Sequence, residues 1–181
     1  MRIIAGSAKG KKIHAPVDGK IVRPALGKVR EAIFSILGAV DQKVILDVFA
    51  GTGSLGLEGL SRGAAACYFI ESHPTAIKCI MTSLEHLGFL DVAHVFKRIL
   101  PHGLKGLRLT KKPDIIFCDP PYDKNLVNRT LKALVQYKFV DRDSTVIVEH
   151  TRREQPDLPE LTLVKQKKYG QTIISFLVLS A

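Results

Sequence analysis

The chain has 181 residues, 46% of them hydrophobic and 24% charged. That is the composition of about one globular domain, with a core large enough to need no disulfide or metal staple. No run reaches the roughly 18 consecutive apolar residues of a membrane span. The opening Met1-Arg2-Ile3-Ile4-Ala5-Gly6 turns basic and polar too soon for a secretory signal, so a cytoplasmic protein is expected. The net charge of +10 is uneven, with +7 in residues 1–30 and +3 in the other 151. Such an excess marks a nucleic-acid or anionic-surface binder, or more simply a solvated basic face.

In chain order, the short apolar and basic runs Arg2–Ala5 and Lys11–His14 flank a Gly-containing turn and predict a β-hairpin or extended arm. Pro16 and Asp18-Gly19 break the chain. Val29, Ile33, Ile36 and Leu37 share one face of a helix predicted from about Gly27 to Leu37. Val44–Phe49 reads as a strand buried on both faces. A glycine-rich turn over 50–56 follows, then a helix to about Arg62 with Gly63 as its stop. Next come strand Ala66–Glu71, helix Pro74–Leu87, a short strand near His94–Lys97 and strand Asp114–Cys118. Helix Asn125–Val135, strand Ser144–Glu149 and the runs Leu161–Val164 and Thr172–Leu179 complete the series. The alternation predicts an α/β fold with a mostly parallel sheet. The last two runs lack a helix-length spacer and are expected to pair antiparallel at one edge. A basic extension over 1–43 would thus precede a core over 44–181. Cys67, Cys79 and Cys118 form no CxxC pair and read as reduced thiols, and the six histidines show no metal-ligand spacing, so no metal is expected.

Two motifs carry chemistry. Asp47-Val48-Phe49-Ala50-Gly51-Thr52-Gly53-Ser54-Leu55-Gly56 places GxGxxG between a strand and a helix, and Glu71 ends the next strand. Alone, this pattern also satisfies the dinucleotide fingerprint, in which the glycines admit the ligand and the acid takes the ribose hydroxyls. Asp47 favours another ligand: a carboxylate ahead of the glycines repels a pyrophosphate but attracts the ammonium and sulfonium of S-adenosyl-L-methionine. Phe49 and Ser72 flank the same pocket. Asp47 could instead cap the glycine turn, and Glu71 could be a solvated strand-end acid.

The second motif, Asp119-Pro120-Pro121-Tyr122, closes the fourth predicted parallel strand, where open α/β sheets bind their ligands. An exocyclic amine conjugated to a base is a poor nucleophile because its lone pair lies in the π system. The Asp119 carboxylate and Pro120 carbonyl can each accept one of its N–H bonds, favouring a pyramidal nitrogen. The two prolines fix the loop's φ angles, and Tyr122 can stack on the base.

With these motifs the sequence resembles the class I S-adenosylmethionine-dependent amino-methyltransferases. Arg2-Ile3-Ile4-Ala5-Gly6, Gly10-Lys11-Lys12, Arg23-Pro24, Val29-Arg30-Glu31-Ala32-Ile33-Phe34, Gly56-Leu57-Glu58, Val148-Glu149-His150 and Tyr169-Gly170-Gln171-Thr172 resemble the RsmD family, and the likeness covers nearly the whole chain. Those bacterial enzymes methylate guanine N2 in the 16S ribosomal RNA of the small subunit. The resemblance implies a Rossmann-like, seven-stranded, mostly parallel sheet with an antiparallel edge strand, preceded by a small β-hairpin and helix. It also implies S-adenosyl-L-methionine as cofactor, and 16S rRNA or a small-subunit particle as partner, with a monomer as the default state. Arg98 stands where such enzymes commonly place an acid near the adenine. The basic residues Arg2, Lys9, Lys11, Lys12, Arg23, Lys28 and Arg30 are the candidates for gripping RNA phosphates. A DNA adenine or cytosine N-methyltransferase shares the Asp-Pro-Pro-Tyr chemistry but usually carries a separate target-recognition domain. An RNA-binding module with weakened catalysis and a nicotinamide-dependent dehydrogenase are the remaining alternatives.

Overall fold

The computed structural model describes residues 1–16 and 26–180; Arg23, one of the candidate phosphate contacts, lies outside them. The strands form a mostly parallel sheet of seven with an antiparallel edge. By their internal contacts the residues form two compact units, Met1–Lys97 and Arg98–Ala181.

The first unit contains α1 (Leu26–Leu37), β1 (Val44–Val48), α2 (Ser54–Ser61), β2 (Ala66–Glu71), α3 (Pro74–Leu87) and β3 (Ala93–Lys97). β1 pairs parallel with β2, Val44 opposite Ala66 and Val48 opposite Ile70, and β2 pairs parallel with β3. Every residue of β1 is buried, as its unbroken apolar run requires. α2 lies close against β2 because Gly56 has no side chain: a Cβ there would fall 2.3 Å from the Phe69 ring and 2.6 Å from Cys67 Sγ. Pro74 opens α3, and Gly88, at φ 78°, ends it.

The N-terminal arm is a hairpin with one antiparallel bridge, Arg2 to Lys12, supported by Ile3 N–H donating to the Lys11 carbonyl at 3.0 Å. Ile3, Ala8 and Ile13 are buried. The arm is fastened to α2 through Glu58, a fully buried carboxylate that accepts from the amides of Ile4 (2.8 Å) and Ala5 (3.0 Å). Ser61 Oγ donates to the Ala5 carbonyl at 2.6 Å and accepts from Ala8 N–H at 3.0 Å. Gly6, at φ 85°, passes so near this helix that a Cβ would sit 1.7 Å from the Ser61 carbonyl oxygen.

Arg30 requires a correction. Expected to grip RNA, it is only 3% exposed, with Nε 3.5 Å from Glu58 and the guanidinium donating to the Arg2 carbonyl. Its position on α1 next to the arm's backbone commits its charge to the interior.

The second unit contains β4 (Ile115–Cys118), α4 (Val127–Gln136), β5 (Thr145–His150), β6 (Leu161–Tyr169) and β7 (Thr172–Leu179). β4 and β5 are parallel. β7 is the reversed strand, bonded antiparallel to β5 on one side and to β6 on the other, with a bulge between Leu163 and Lys165. β6 runs on to Tyr169, past the apolar stretch that predicted it, because β7 pairs along the whole of Lys165–Tyr169. α4 begins at Val127 rather than Asn125, whose φ of 53° is left-handed and cannot belong to the helix.

Replacing Glu58 by Ala would leave the buried Arg30 guanidinium without its carboxylate and two arm amides without an acceptor. Glu58→Ala is expected to lower unfolding free energy by about 3–5 kcal/mol, the typical effect of removing one partner of a buried ion pair. Urea denaturation followed by circular dichroism checks this; a loss under 1 kcal/mol would contradict this role of Glu58.

Candidate active site

In the first unit, parallel pairing brings Asp47 in β1 opposite Phe69 and puts Glu71 at the carboxyl end of β2, so both acids belong to the same end of this sheet segment. The turn between β1 and α2 leaves the strand at Phe49, whose φ of 63° is unusual for an aromatic residue and costs about 1–2 kcal/mol. Ala50 N–H to the Ile70 carbonyl (3.0 Å) and Gly53 N–H to the Ala50 carbonyl (2.7 Å) hold this corner.

The three motif glycines divide their work. Gly53 and Gly56 face Phe69, Ile80 and Cys67 and serve helix–strand packing. Gly51, at φ 56°, faces open space, the nearest atom to a Cβ being the Phe49 carbonyl oxygen at 4.0 Å. Of the three, it is the position at which a ligand could approach the backbone.

Asp47 is 2% exposed, and its Oδ2 accepts from Gly56 N–H at 3.0 Å, capping the start of α2. Burial raises its pKa to about 7, opposed by the Gly56 hydrogen bond and assisted by the nearby Glu71 charge. Glu71 ties the strand end to the turn. Its Oε2 accepts from Gly51 N–H (2.7 Å), and its Oε1 accepts from the amides of Ser72 (2.7 Å) and His73 (2.8 Å). With two lone-pair sites per oxygen, Oε2 keeps one site for a hydroxyl donor, while Oε1 has both engaged. Ser72 is exposed beside it. A glycine backbone open to solvent, a buried acid that a cation would ionise and a carboxylate with a vacant acceptor site suit a ribose and a cationic amino acid. This donor set fits S-adenosylmethionine. Arg98 is exposed in the second unit.

In the second unit, Asp119-Pro120-Pro121-Tyr122 leaves the carboxyl end of β4, and Cys118 lies opposite Val148 of β5. The strand ends thus bring Glu149 and His150 to the same edge. Pro120 is buried, Pro121 exposed, and Asp119 half-buried. The Tyr122 hydroxyl donates to Glu149 Oε1 at 2.6 Å and lies 2.9 Å from Thr172 Oγ1. Burial, then the hydrogen bond to Glu149, pushes the Tyr122 hydroxyl's pKa up, so the phenol stays protonated. The ring is therefore held by its hydroxyl end. Neither Glu149 nor Thr172 emerged as a site residue from the motif chemistry. The available signal was a carboxylate ending the apolar run Thr145–Val148, together with the Gly170-Gln171-Thr172 turn.

The fold and these two constellations define a class I, S-adenosylmethionine-dependent methyltransferase. A family model described as "Conserved hypothetical protein 95" matches residues 1–178, and the chain belongs to that family. A protein of Haemophilus influenzae named ribosomal RNA small subunit methyltransferase D is 32% identical over 180 residues, covering 97% of this chain and 91% of its own. The protein of the same name from Escherichia coli K12 is 31% identical over 175 residues, covering 94% of this chain and 86% of its own. A solved Escherichia coli structure carrying a methyltransferase assignment is 29% identical, with a TM-score of 0.87 over 100% of this chain and 98% of that one.

The Asp47 carboxyl has a measurable consequence for stability. Its folded pKa, about 7, is raised above the unfolded value of about 3.9. The native state therefore binds the extra proton between these values, and this contribution to stability is lost as pH rises from about 4 through 7. Asp47→Asn removes the titration and keeps an oxygen for Gly56 N–H. The melting temperature of Asp47→Asn relative to the wild type is expected to rise between pH 4 and pH 8. A difference that stays flat across that range would contradict it.

Proposed function

We propose that this protein transfers a methyl group from S-adenosylmethionine to the exocyclic N2 amine of a guanine in 16S rRNA, free or within a small-subunit particle. The observation that carries the reading is the Asp119-Pro120-Pro121-Tyr122 turn at the end of β4, its tyrosine anchored to Glu149 and Thr172, in a chain whose relatives are named rRNA methyltransferases.

Asp47, Phe49, Gly51, Gly53, Glu71 and Ser72 form the cofactor side. Gly51 offers the open backbone, Glu71 Oε2 accepts one ribose hydroxyl, and Asp47 faces the cationic amino-acid end and ionises against it. Bound there, the cofactor supplies an electrophilic methyl group on a sulfonium. Gly53 contributes by keeping α2 against β2. On the substrate side the Asp119 carboxylate and Pro120 carbonyl accept the two N–H bonds of the amine, turning its lone pair out of the base's π system. Positive charge develops on that nitrogen as its bond to the methyl carbon forms and the methyl–sulfur bond breaks, leaving a neutral thioether; the Asp119 carboxylate stabilises that charge, and the nitrogen then gives up one proton to solvent. Pro120 and Pro121 preorganise the turn, and Tyr122, held by its hydroxyl, offers its ring to the base.

The exposed arm residues Arg2, Lys9, Lys11 and Lys12, with Lys28 on α1, contribute phosphate contacts. Residues 1–43 in this reading hold RNA, and 44–181 perform the transfer.

Asp119→Ala is expected to lower single-turnover methylation of 16S rRNA by roughly 10²–10³ while leaving S-adenosylhomocysteine affinity within a few fold. Transfer of labelled methyl followed by nucleoside analysis reads both the rate and the modified base. Near-normal turnover, or label on another nucleoside, would refute the reading.

Changing Lys9, Lys11 and Lys12 together to Ala is expected to make the log–log salt slope of RNA binding shallower by up to about 2, at about 0.7 per phosphate contact. Binding measured over a salt series checks this, and an unchanged slope would assign the arm's charge to something other than RNA.

A further inference from the structure

Beside Tyr122, wholly within the second unit, lies a cleft of about 400 Å³ whose other lining residues the reaction chemistry leaves unused. The turn after β4, the loop after β5 and the β6–β7 turn form its walls, presenting Tyr122, Arg152, Arg153, Lys168 and Gln171. The walls are built before any ligand arrives. Glu154, 8% exposed, accepts from Asp123 N–H at 2.7 Å and so ties the β5 loop to the Tyr122 turn. His150, fully buried, lies 2.8 Å from the Thr151 carbonyl through Nδ1 and 2.8 Å from Ser175 Oγ through Nε2, bracing the same loop against β7. Tyr122 is pinned to Glu149 of β5 and Thr172 of β7.

The cleft's charge is strongly positive. Its three cations face one lining carboxylate, Asp123, which stands 4.0 Å from Arg153 with both side chains largely exposed. An ion pair that loose neutralises little. Three exposed cations around an aromatic ring and a neutral amide suit a single nucleic-acid strand, with phosphates on the cations and a ribose or base edge on Gln171. A small metabolite would leave most of these cations unused, and a protein partner would find no large aliphatic side chain among the lining residues to pack against.

We propose that this cleft holds the nucleotides flanking the target guanine, with Arg152, Arg153 and Lys168 neutralising their phosphates. The proposal rests on the rRNA methylation reading and adds to it a second RNA contact besides the N-terminal arm. It also makes the β6–β7 turn a substrate-binding element.

The test is the full-length triple variant Arg152→Gln, Arg153→Gln, Lys168→Gln, assayed with 16S rRNA and with small-subunit particles. KM for RNA is expected to rise at least tenfold at 0.15 M salt, with kcat within about threefold. The salt slope of RNA binding should become shallower by up to about 2, with S-adenosylhomocysteine affinity unchanged. Should the triple variant fold poorly, Lys168→Gln alone is expected to reduce the slope by about 0.7. If wild type methylates neither substrate, the function reading itself fails. If wild type is active and the variant matches it in KM and slope, the cleft assignment alone is overturned. A loss confined to particles, with normal methylation of naked rRNA and an unchanged slope, would assign the cleft to a ribosomal protein and overturn the RNA assignment.

Discussion

The buried Glu58 carboxylate organises the whole first unit. It receives two backbone amides from the arm, stands 3.5 Å from Arg30 Nε and accepts from Arg62 Nε at 2.9 Å. An isolated carboxylate out of water is prohibitively costly, so each partner depends on the others. α1 supplies Arg30, α2 supplies Glu58, Arg62 follows directly as its C-cap, and the arm supplies amides that only its extended path presents. Because α2 also starts from the glycine turn, the same helix carries the basic arm at one point and receives the Asp47 cap at another. The basic arm is therefore integral to the unit, with its polypeptide bonded to a core helix and most of its lysines left outside.

The glycine turn shows how one motif satisfies two demands. Helix α2 must approach β2 closely, and Gly53 and Gly56 permit it by presenting no Cβ to Phe69 and Cys67. Of the three motif glycines, Gly51 alone has no atom nearer than 4.0 Å to a Cβ. Asp47 joins the demands: the amide it caps belongs to Gly56, and burial leaves its charge finely balanced near neutrality. The same side chain thus holds the start of α2 and sits close to its own titration point at neutral pH.

Much of this was legible in residue order. β2 and α3 coincide with their predicted ranges, since a bounded apolar run and a helical repeat between Pro74 and Gly88 leave little freedom. Arg30 was misread because charge was counted along the chain; its i+3 and i+4 neighbours Ile33 and Phe34 are buried, and they place it on the inward face of α1. β6 was foreshortened because Lys165-Gln166-Lys167-Lys168 carries no apolar alternation; its strand character comes from the buried, apolar β7 beside it. Asp119-Pro120-Pro121-Tyr122 stands out in the sequence as a motif at a strand end, but Glu149 and Thr172, which hold its tyrosine, are 27 and 50 residues beyond Tyr122 and meet it only through the strand order.

The outermost strand also has a bearing on solubility. β6 is exposed along nearly its whole length and presents Leu163 and Val164 to solvent on a sheet edge. Such an edge is a template on which other chains can add strands, and lysines and bulges are the devices that prevent it. Here the bulge between Leu163 and Lys165 interrupts the ladder, and Lys165, Lys167 and Lys168 keep the remainder charged. Lys168 thus guards the edge against self-association while lining the cleft beside Tyr122. Any redesign of this surface to alter the protein's isoelectric point must treat that one lysine differently from its neighbours.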